Sequence, residues 1–265
     1  MTAAQQGEII MKRSISITAA VLASALLLGG CGSAASQKKQ QESNDLAKQM
    51  LTQTKERTLE NTQSIHSLNL EIAAAVVVVQ TGDDWKLETN VKKKYLTSEV
   101  KDGILTIEQP SHETDIRNLL KLKDHVPTVT LTMPKDVQLK KLEAYLGAGT
   151  MDIKNLSAQK SDLDVSAGTV TLDQLDTQKT NISCDLGEVS GSMRLTGDGS
   201  MDASVGSMEL ELLDGSKLAE VNANVSVGDV TLNGKDFSGS KKLGKTGGTL
   251  DVDCEMGSID LTIPE

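Results

Sequence analysis

Asp162-Leu163-Asp164-Val165-Ser166-Ala167-Gly168-Thr169-Val170-Thr171-Leu172 is the stretch whose reading decides the fold. Leu163 and Val165 alternate with aspartates before the glycine, and Val170 and Leu172 alternate with threonines after it. Alternation with period 2 sends one set of side chains to a core and the other to water, so each half reads as a short strand. The same phrase recurs around Gly149, Gly187, Gly206, Gly228 and Gly257, at spacings of 19, 19, 19, 22 and 29 residues. Two residues after each glycine stand Met151, Val170, Val189, Met208, Val230 and Ile259; three before stand Leu146, Val165, Cys184, Ala203, Val225 and Cys254. Both columns point inward. A coil this short cannot bury its apolar side alone and must stack on its neighbours. The expected fold is therefore all-β: a single-chain, β-helix-like β-solenoid with coils of about 19 residues, preceded by a short strand-rich N-terminal cap. The glycine makes the corner, either by taking a positive φ or by letting the backbone pass close to the coil above. Six coils about 4.8 Å apart make a column about 29 Å long.

Working outward, β-type runs occupy 68–72, 76–79, 85–91 and, after the turn Asp102-Gly103, 104–107. A polar, mixed stretch from His112 to His125 interrupts them, and Val129-Thr130-Leu131-Thr132-Met133 then alternates until Pro134 ends the ladder. Residues 65–107 are the expected N-terminal cap. At the other end the longer intervals hold an insertion, 233–248, with Lys235, Lys241, Lys242 and Lys245, expected as a basic loop ejected from the column. Asp260 to Pro264 is expected as a bare final strand able to pair with another chain. Upstream, residues 32–62 are rich in Gln, Lys, Ser, Glu and Asn and read as a flexible tether. The domains are then 1–30, a signal peptide; 31–62, the tether; and 63–265, the solenoid, with an N-terminal part 63–141 and repeats 142–265.

The first segment has the composition of an export signal. Lys12 and Arg13 precede an apolar run at 15–28, too short to cross about 30 Å of hydrocarbon comfortably, and Leu28-Gly29-Gly30-Cys31 follows. This pattern resembles bacterial lipoprotein precursors. The resemblance implies that Cys31 is thioether-linked to diacylglycerol, becomes the mature N-terminus and is acylated, palmitate being the expected chain. Residues 1–10 are polar and carry Glu8, which places the candidate start of translation at Met11; Gln6-Gly7-Glu8 is codable by a purine-rich ribosome-binding run. The mature chain keeps 25 of 27 basic and 36 of 37 acidic residues, a formal charge of 25 − 36 = −11. That balance opposes nucleic acid or anionic lipid as the main partner, so membrane attachment rests on the lipid. One Phe, one Trp and two Tyr are too few for a stacking platform for bases or sugar rings.

Cys184 and Cys254 fall in one inward column of the third and sixth coils. Stacked in chain order they lie about 14 Å apart, beyond the roughly 7 Å a disulfide allows, and they read as small core residues. His66, His112 and His125 lie outside the repeats. Solenoid lyases and hydrolases use clustered carboxylates, basic residues and calcium. Here Asp152, Glu209 and Asp260 form one outward column and Asp164, Asp202 and Asp253 another, with Thr, Ser, Asn or Tyr in the coils between. Such spacing avoids like-charge contact and reads as a solvated acidic face. The expectation is a non-enzyme with no catalytic, cofactor-binding or metal site and no cofactor; Cys31 is the one candidate site residue, for lipid attachment.

The opening strands, Gly103-Ile104-Leu105-Thr106-Ile107, Val129-Thr130-Leu131-Thr132-Met133-Pro134 and the Gly-x-apolar-x-apolar repeats, from about Ile65 to Pro264, resemble the bacterial surface proteins grouped as "putative adhesin" domains of unknown function. These motifs specify a fold, and no residue role is carried over from the family. The resemblance implies surface exposure, with adhesion or an accessory part in envelope-stress sensing. The expected protein is a lipid-anchored surface lipoprotein facing the extracytoplasmic side of the cell membrane, acting as a non-catalytic adhesin-like module toward a protein or glycan, with the basic loop 233–248 as a candidate contact. The alternative is an accessory in cell-envelope stress sensing that binds membrane partners of the same cell. A coil of about 30 residues spans about 30 Å, a reach that favours near partners.

Overall fold

The computed structural model describes residues 54–109 and 126–264, and the chain divides after Lys55. The unit from Glu56 onward is described below. Residues 1–30, Cys31 and the stretch from His112 to His125 lie outside the described residues.

Among the described residues eighteen strands make one sheet, wound as a parallel solenoid. One side of the column carries, in stacking order, β5 (Ile104–Glu108), the first half of β2 (Ser67–Gly82), the first half of β7 (Leu139–Lys154), β8 (Ser157–Val165), the second half of β9 (Thr169–Cys184), β11 (Gly199–Ala203), β17 (Gly248–Cys254) and β13 (Leu218–Val225). The other side carries β6 (Thr128–Pro134), the remaining halves of β2, β7 and β9, then β10 (Glu188–Leu195), β12 (Ser207–Leu212), β18 (Ser258–Thr262) and β14 (Asp229–Leu232). Each side has eight members, so the described column has eight rungs. Both inward columns expected from the repeats are buried, except that Val225 is only partly covered.

The corner glycines work by close approach. Gly168, Gly187, Gly206, Gly257 and Gly228 have no positive φ. A Cβ on Gly168 would lie 3.0 Å from the carbonyl oxygen of Gly149, and one on Gly206 2.7 Å from that of Gly187. Gly187 is pressed in the same way against Gly168, Gly257 against Gly206 and Gly228 against Gly257. The crowded carbonyls are also acceptors: Gly168 O receives Glu188 N–H at 2.9 Å, Gly187 O receives Ser207 at 3.1 Å and Gly206 O receives Ser258 at 3.2 Å. The ladder therefore continues around the corner, and only a residue without a side chain lets the rungs close to hydrogen-bond distance there.

These contacts fix an order that chain sequence does not follow. After β12 the chain skips a rung through 213–217 to build the outermost coil, β13 and β14, and then returns to fill the gap with β17 and β18. Asp260 to Pro264 is thus no bare edge: β18 is laddered to β12 on one side and β14 on the other. The opening does the same. β2 is the second rung, inside the column and not part of the cap; the chain leaves it, builds the outer rung β5–β6, and crosses back through 135–138 to β7.

Antiparallel strands close both ends. β3 (Lys86–Thr89) covers β6 and β4 (Thr97–Lys101) covers β5, while β15 (Lys235–Asp236) covers β14 and β16 (Gly239–Lys242) covers β13. The lysine-bearing insertion is therefore not ejected. It folds back over the last coil, and its exposed Lys241 and Lys242 line the new edge with charge, which discourages pairing with another sheet. The fold also takes hold of the chain earlier than the composition shift at Thr62. Arg57, at the end of β1 (Lys55–Arg57), donates from its guanidinium to the carbonyls of Leu96, at 2.6 Å, and Val91.

Polar groups inside are matched. Ser161 and Thr180, fully buried where Leu142 and Leu250 occupy the same column, share a hydroxyl hydrogen bond of 2.8 Å. The buried Gln109 amide accepts from Ala74 N–H at 2.8 Å and donates to Ala74 O at 3.1 Å, replacing the backbone rung that is missing where the chain leaves β5.

Gly206→Ala would press a methyl group on the Gly187 carbonyl and the Cys184 sulfur. It is expected to destabilise the protein by about 1–3 kcal/mol, read as a lower urea midpoint at unchanged slope. An unchanged midpoint would mean that the rungs can part at the corner.

Candidate functional site

The outward faces are built of short polar side chains joined from rung to rung. Asn181 donates to Asp162 at 2.7 Å, Ser200 to Asn181 at 3.2 Å, Asn222 to Asp251 at 2.9 Å and Asn224 to Asp253 at 3.0 Å. The return of the last coil alters the expected spacing of carboxylates. Asp202 stands directly beside Asp253, and Glu209 beside Asp260. The separation inferred from chain order is corrected: the returning coil creates these two like-charged pairs, because β17 and β18 lie next to β11 and β12. Each pair is relieved by a neutral donor. Asn224 serves Asp253, and the Thr231 hydroxyl serves Asp260 at 2.7 Å. Burial, and then the charge of Asp253, push the Asp202 carboxyl up from its ordinary value.

Cys184 and Cys254 are buried and free. Ala203 alone lies between them in the column, so they are two rungs apart, about 10 Å and not 14 Å, still beyond the reach of a disulfide. Burial raises the Cys184 thiol pKa, which keeps it from acting as a thiolate. His66 hydrogen-bonds Ser67 at 3.0 Å and lies against Gly103, away from both cysteines. Among the described residues no three His, Cys, Asp or Glu side chains gather as a metal site. A hollow of about 520 Å³ on the first side is lined by Glu71, Glu143, Tyr145, Asp162 and Asp164 among others, and Lys141 and Lys160 pair with Asp162 there at 3.3 and 3.1 Å. It offers hydrogen-bonding groups, with Ser183 in register between Asp164 and Asp202.

The unusual surface is at the corner. The residue just before each repeat glycine points outward, and in stacking order these are Ala148, Ala167, Leu186, Val205, Met256 and Val227. The last four are 68, 49, 61 and 79% exposed, half of the large exposed apolar residues among the described residues. They form a convex apolar ridge with one residue per rung. Asp185 and Glu255 adjoin it on one flank, Glu188 and Asp229 on the other. Sequence reasoning passed over this third column, although the signal was present: an apolar residue at the same offset in the last four repeats, at a corner where inward-facing positions were already filled.

Asp152 is the carboxylate whose surroundings differ most from water. Burial, and next the charge of Asp173, raise its pKa, against the opposing pull of Lys154 at 3.9 Å. A carboxyl with a raised folded-state pKa binds its proton more readily folded than unfolded, so its contribution to stability falls as pH rises through that window and is unfavourable at pH 7. Asp152→Asn should accordingly be more stable than the parent at pH 7, with the difference shrinking on acidification toward the ordinary value of 3.8. Thermal unfolding across that range would show it, and a variant less stable at pH 7 would assign the larger role to the Lys154 ion pair.

Among solved structures, a "putative cell adhesion protein" of Clostridium sporogenes is 17% identical, with 80% of this chain and 100% of that chain covered at a TM-score of 0.46. A "putative adhesin" of Bacteroides fragilis is 14% identical, with 78% and 95% covered and a TM-score of 0.34. One of Parabacteroides merdae is 14% identical over the same shares, at 0.36. No curated protein was found to resemble the chain. The Toastrack DUF4097 family matches residues 65–264, the whole of the column from its first buried residue, Ile65, to its last strand. By that match this chain belongs to the Toastrack DUF4097 family.

Proposed function

We propose that this protein is a non-catalytic, adhesin-like binding module, held on the outer face of the cell membrane by lipid on Cys31, and that the corner ridge is its contact with a protein partner. The ridge carries the reading. Four large apolar side chains in successive rungs, held by a ladder that fixes their spacing near 4.8 Å, span about 14 Å. Exposed apolar surface arranged as one stripe marks an interaction site more often than scattered residues do. The carboxylates on its flanks favour a partner that sets basic groups around an apolar centre, and disfavour a second copy of the same acidic ridge. The tether and lipid agree with such a role, since an anchor near the bilayer raises the effective concentration of membrane neighbours.

Leu186→Asp combined with Val227→Asp should leave stability within about 0.5 kcal/mol, because both side chains are solvent-facing. The same pair should abolish adducts formed in living cells by a photo-crosslinking residue at position 205. Undiminished adducts would remove the ridge from the interface, and adducts between copies of this chain would make it a self-association surface.

The Cys31→Ala protein is expected to leave the membrane fraction and to lose the mass of the lipid. If captured partners are envelope proteins of the same cell and vanish with this substitution, the accessory role in envelope sensing replaces adhesion. If none is captured from the same cell, extracellular proteins and glycans are the partners to test. A Cys31→Ala chain that stays in the membrane would overturn the anchor.

A further inference from the structure

The two ends of the column differ in one respect that the anchored reading makes meaningful. At the end where the chain joins the fold, three consecutive lysines, Lys92, Lys93 and Lys94, form an exposed turn between buried Val91 and buried Leu96. The turn is tightly made. Tyr95 N–H and Leu96 N–H both donate to Lys92 O, at 2.9 and 3.2 Å, and Lys94 lies 4.3 Å from the centre of the Tyr95 ring. Arg57 grips the carbonyls on either side of it, Val91 O and Leu96 O, so the point at which the tether becomes fold is fastened to this turn.

The three ammonium groups have no ion-pair partner among the described residues. Of the carboxylates at this end, Glu56 and Glu88 pair with Lys86 at 3.8 and 3.0 Å, and Asp83 with Lys135 at 3.6 Å. A protein of net charge −10 thus presents, near the start of the fold, three adjacent exposed lysines that no described carboxylate pairs.

We infer that the Lys92-Lys93-Lys94 turn docks on the anionic headgroups of the membrane that holds Cys31, so that the column stands with this end down. The inference rests on the anchored reading proposed above. Only 25 residues separate Cys31 from Glu56, so this tip is the part of the fold nearest the anchor along the chain. The other basic end, with Lys241 and Lys242, lies beyond the eighth rung, nine spacings along and about 43 Å away. The overall negative charge does not prevent docking. Surface charges beyond a Debye length of about 8 Å are screened, so a headgroup layer senses the nearest lysines and little of the acidic rungs behind them. A standing column also directs the apolar ridge, which runs parallel to the stack, away from the lipid and toward neighbouring proteins.

The test separates docking from anchoring by supplying the anchor chemically. The chain from Cys31 onward is coupled through that thiol to a maleimide lipid, Cys184 and Cys254 being buried. Vesicles of phosphatidylcholine alone, or with about 30% phosphatidylglycerol, are treated with an amine-reactive label, and each lysine is read by mass spectrometry. Labelling of Lys92 to Lys94 is expected to fall at least about fivefold in the anionic vesicles and to recover in high salt. Lys241 and Lys242 should stay equally reactive in both. Lys86, on the strand leading into the turn, is expected to be protected in the same way; replacing Lys92, Lys93 and Lys94 with Gln should abolish that difference at Lys86, and replacing them with Arg should restore it. Equal labelling in the two vesicle types, or protection of Lys241 and Lys242 instead, would overturn the inference. Because the lipid is attached by chemistry, such a failure says nothing against Cys31, whose own failure would appear only in the cellular fractionation of Cys31→Ala.

Discussion

At each repeat corner the α-carbon of a glycine lies against a carbonyl of the rung below, and that same carbonyl accepts the next hydrogen bond of the ladder. The rest of the column depends on this contact. If the corner opened by a methyl group, the strands on both sides would lose their common spacing, and the inward Leu, Val, Ile and Met columns would no longer meet across the coil. Stacking also satisfies the corner's backbone groups, which would otherwise need water or side chains. Stability is therefore spread along the column as contacts between neighbours, with no single central cluster.

A column of stacked strands has two open ends, and open parallel edges pair readily with other chains. Here neither the first long strand nor the last is left at an edge. Each is threaded between two rungs, β2 at one end and β17–β18 at the other, and the outer rungs are covered by short antiparallel strands bearing lysines. To free the last strand, two ladders must be broken at once, so fraying from the C-terminus is opposed on both faces. The same threading brings Asp202 beside Asp253 and Glu209 beside Asp260, a repulsion that the Asn224 and Thr231 side chains offset.

The surface that results is divided by geometry. Outward strand positions carry an amide, hydroxyl and carboxylate lattice that is largely self-satisfied. The corner positions cannot point inward, because the glycine beside them already brings the backbone against the next rung, and they are the ones that expose Leu186, Val205, Met256 and Val227. The capping strands and turns at both ends carry further lysines. The two contacts proposed above accordingly fall on a rigid edge and a rigid tip, while the outward polar groups are largely bound to one another.

The sequence by itself determined the coil. Period-2 alternation on either side of a glycine, repeated at 19 residues, identifies the strands, the corner and which side chains are buried, because those depend only on local geometry and the need to hide apolar surface. It also contained the ridge, as a column at a constant offset. The order of the rungs was decided by tertiary structure alone. An apolar column fits equally well against the rung before or after it, so hydrophobic pattern is blind to whether Gly257 stacks on Gly228 or on Gly206. Only the skipped connection at 213–217, too short to add a rung, and the return through 233–248 settle it, and they do so because a gap bounded by two unpaired ladders is filled best by the one strand pair still free. The distance between Cys184 and Cys254, the carboxylate pairs, the covered final strand and the folded-back lysine segment all follow from that one choice of order.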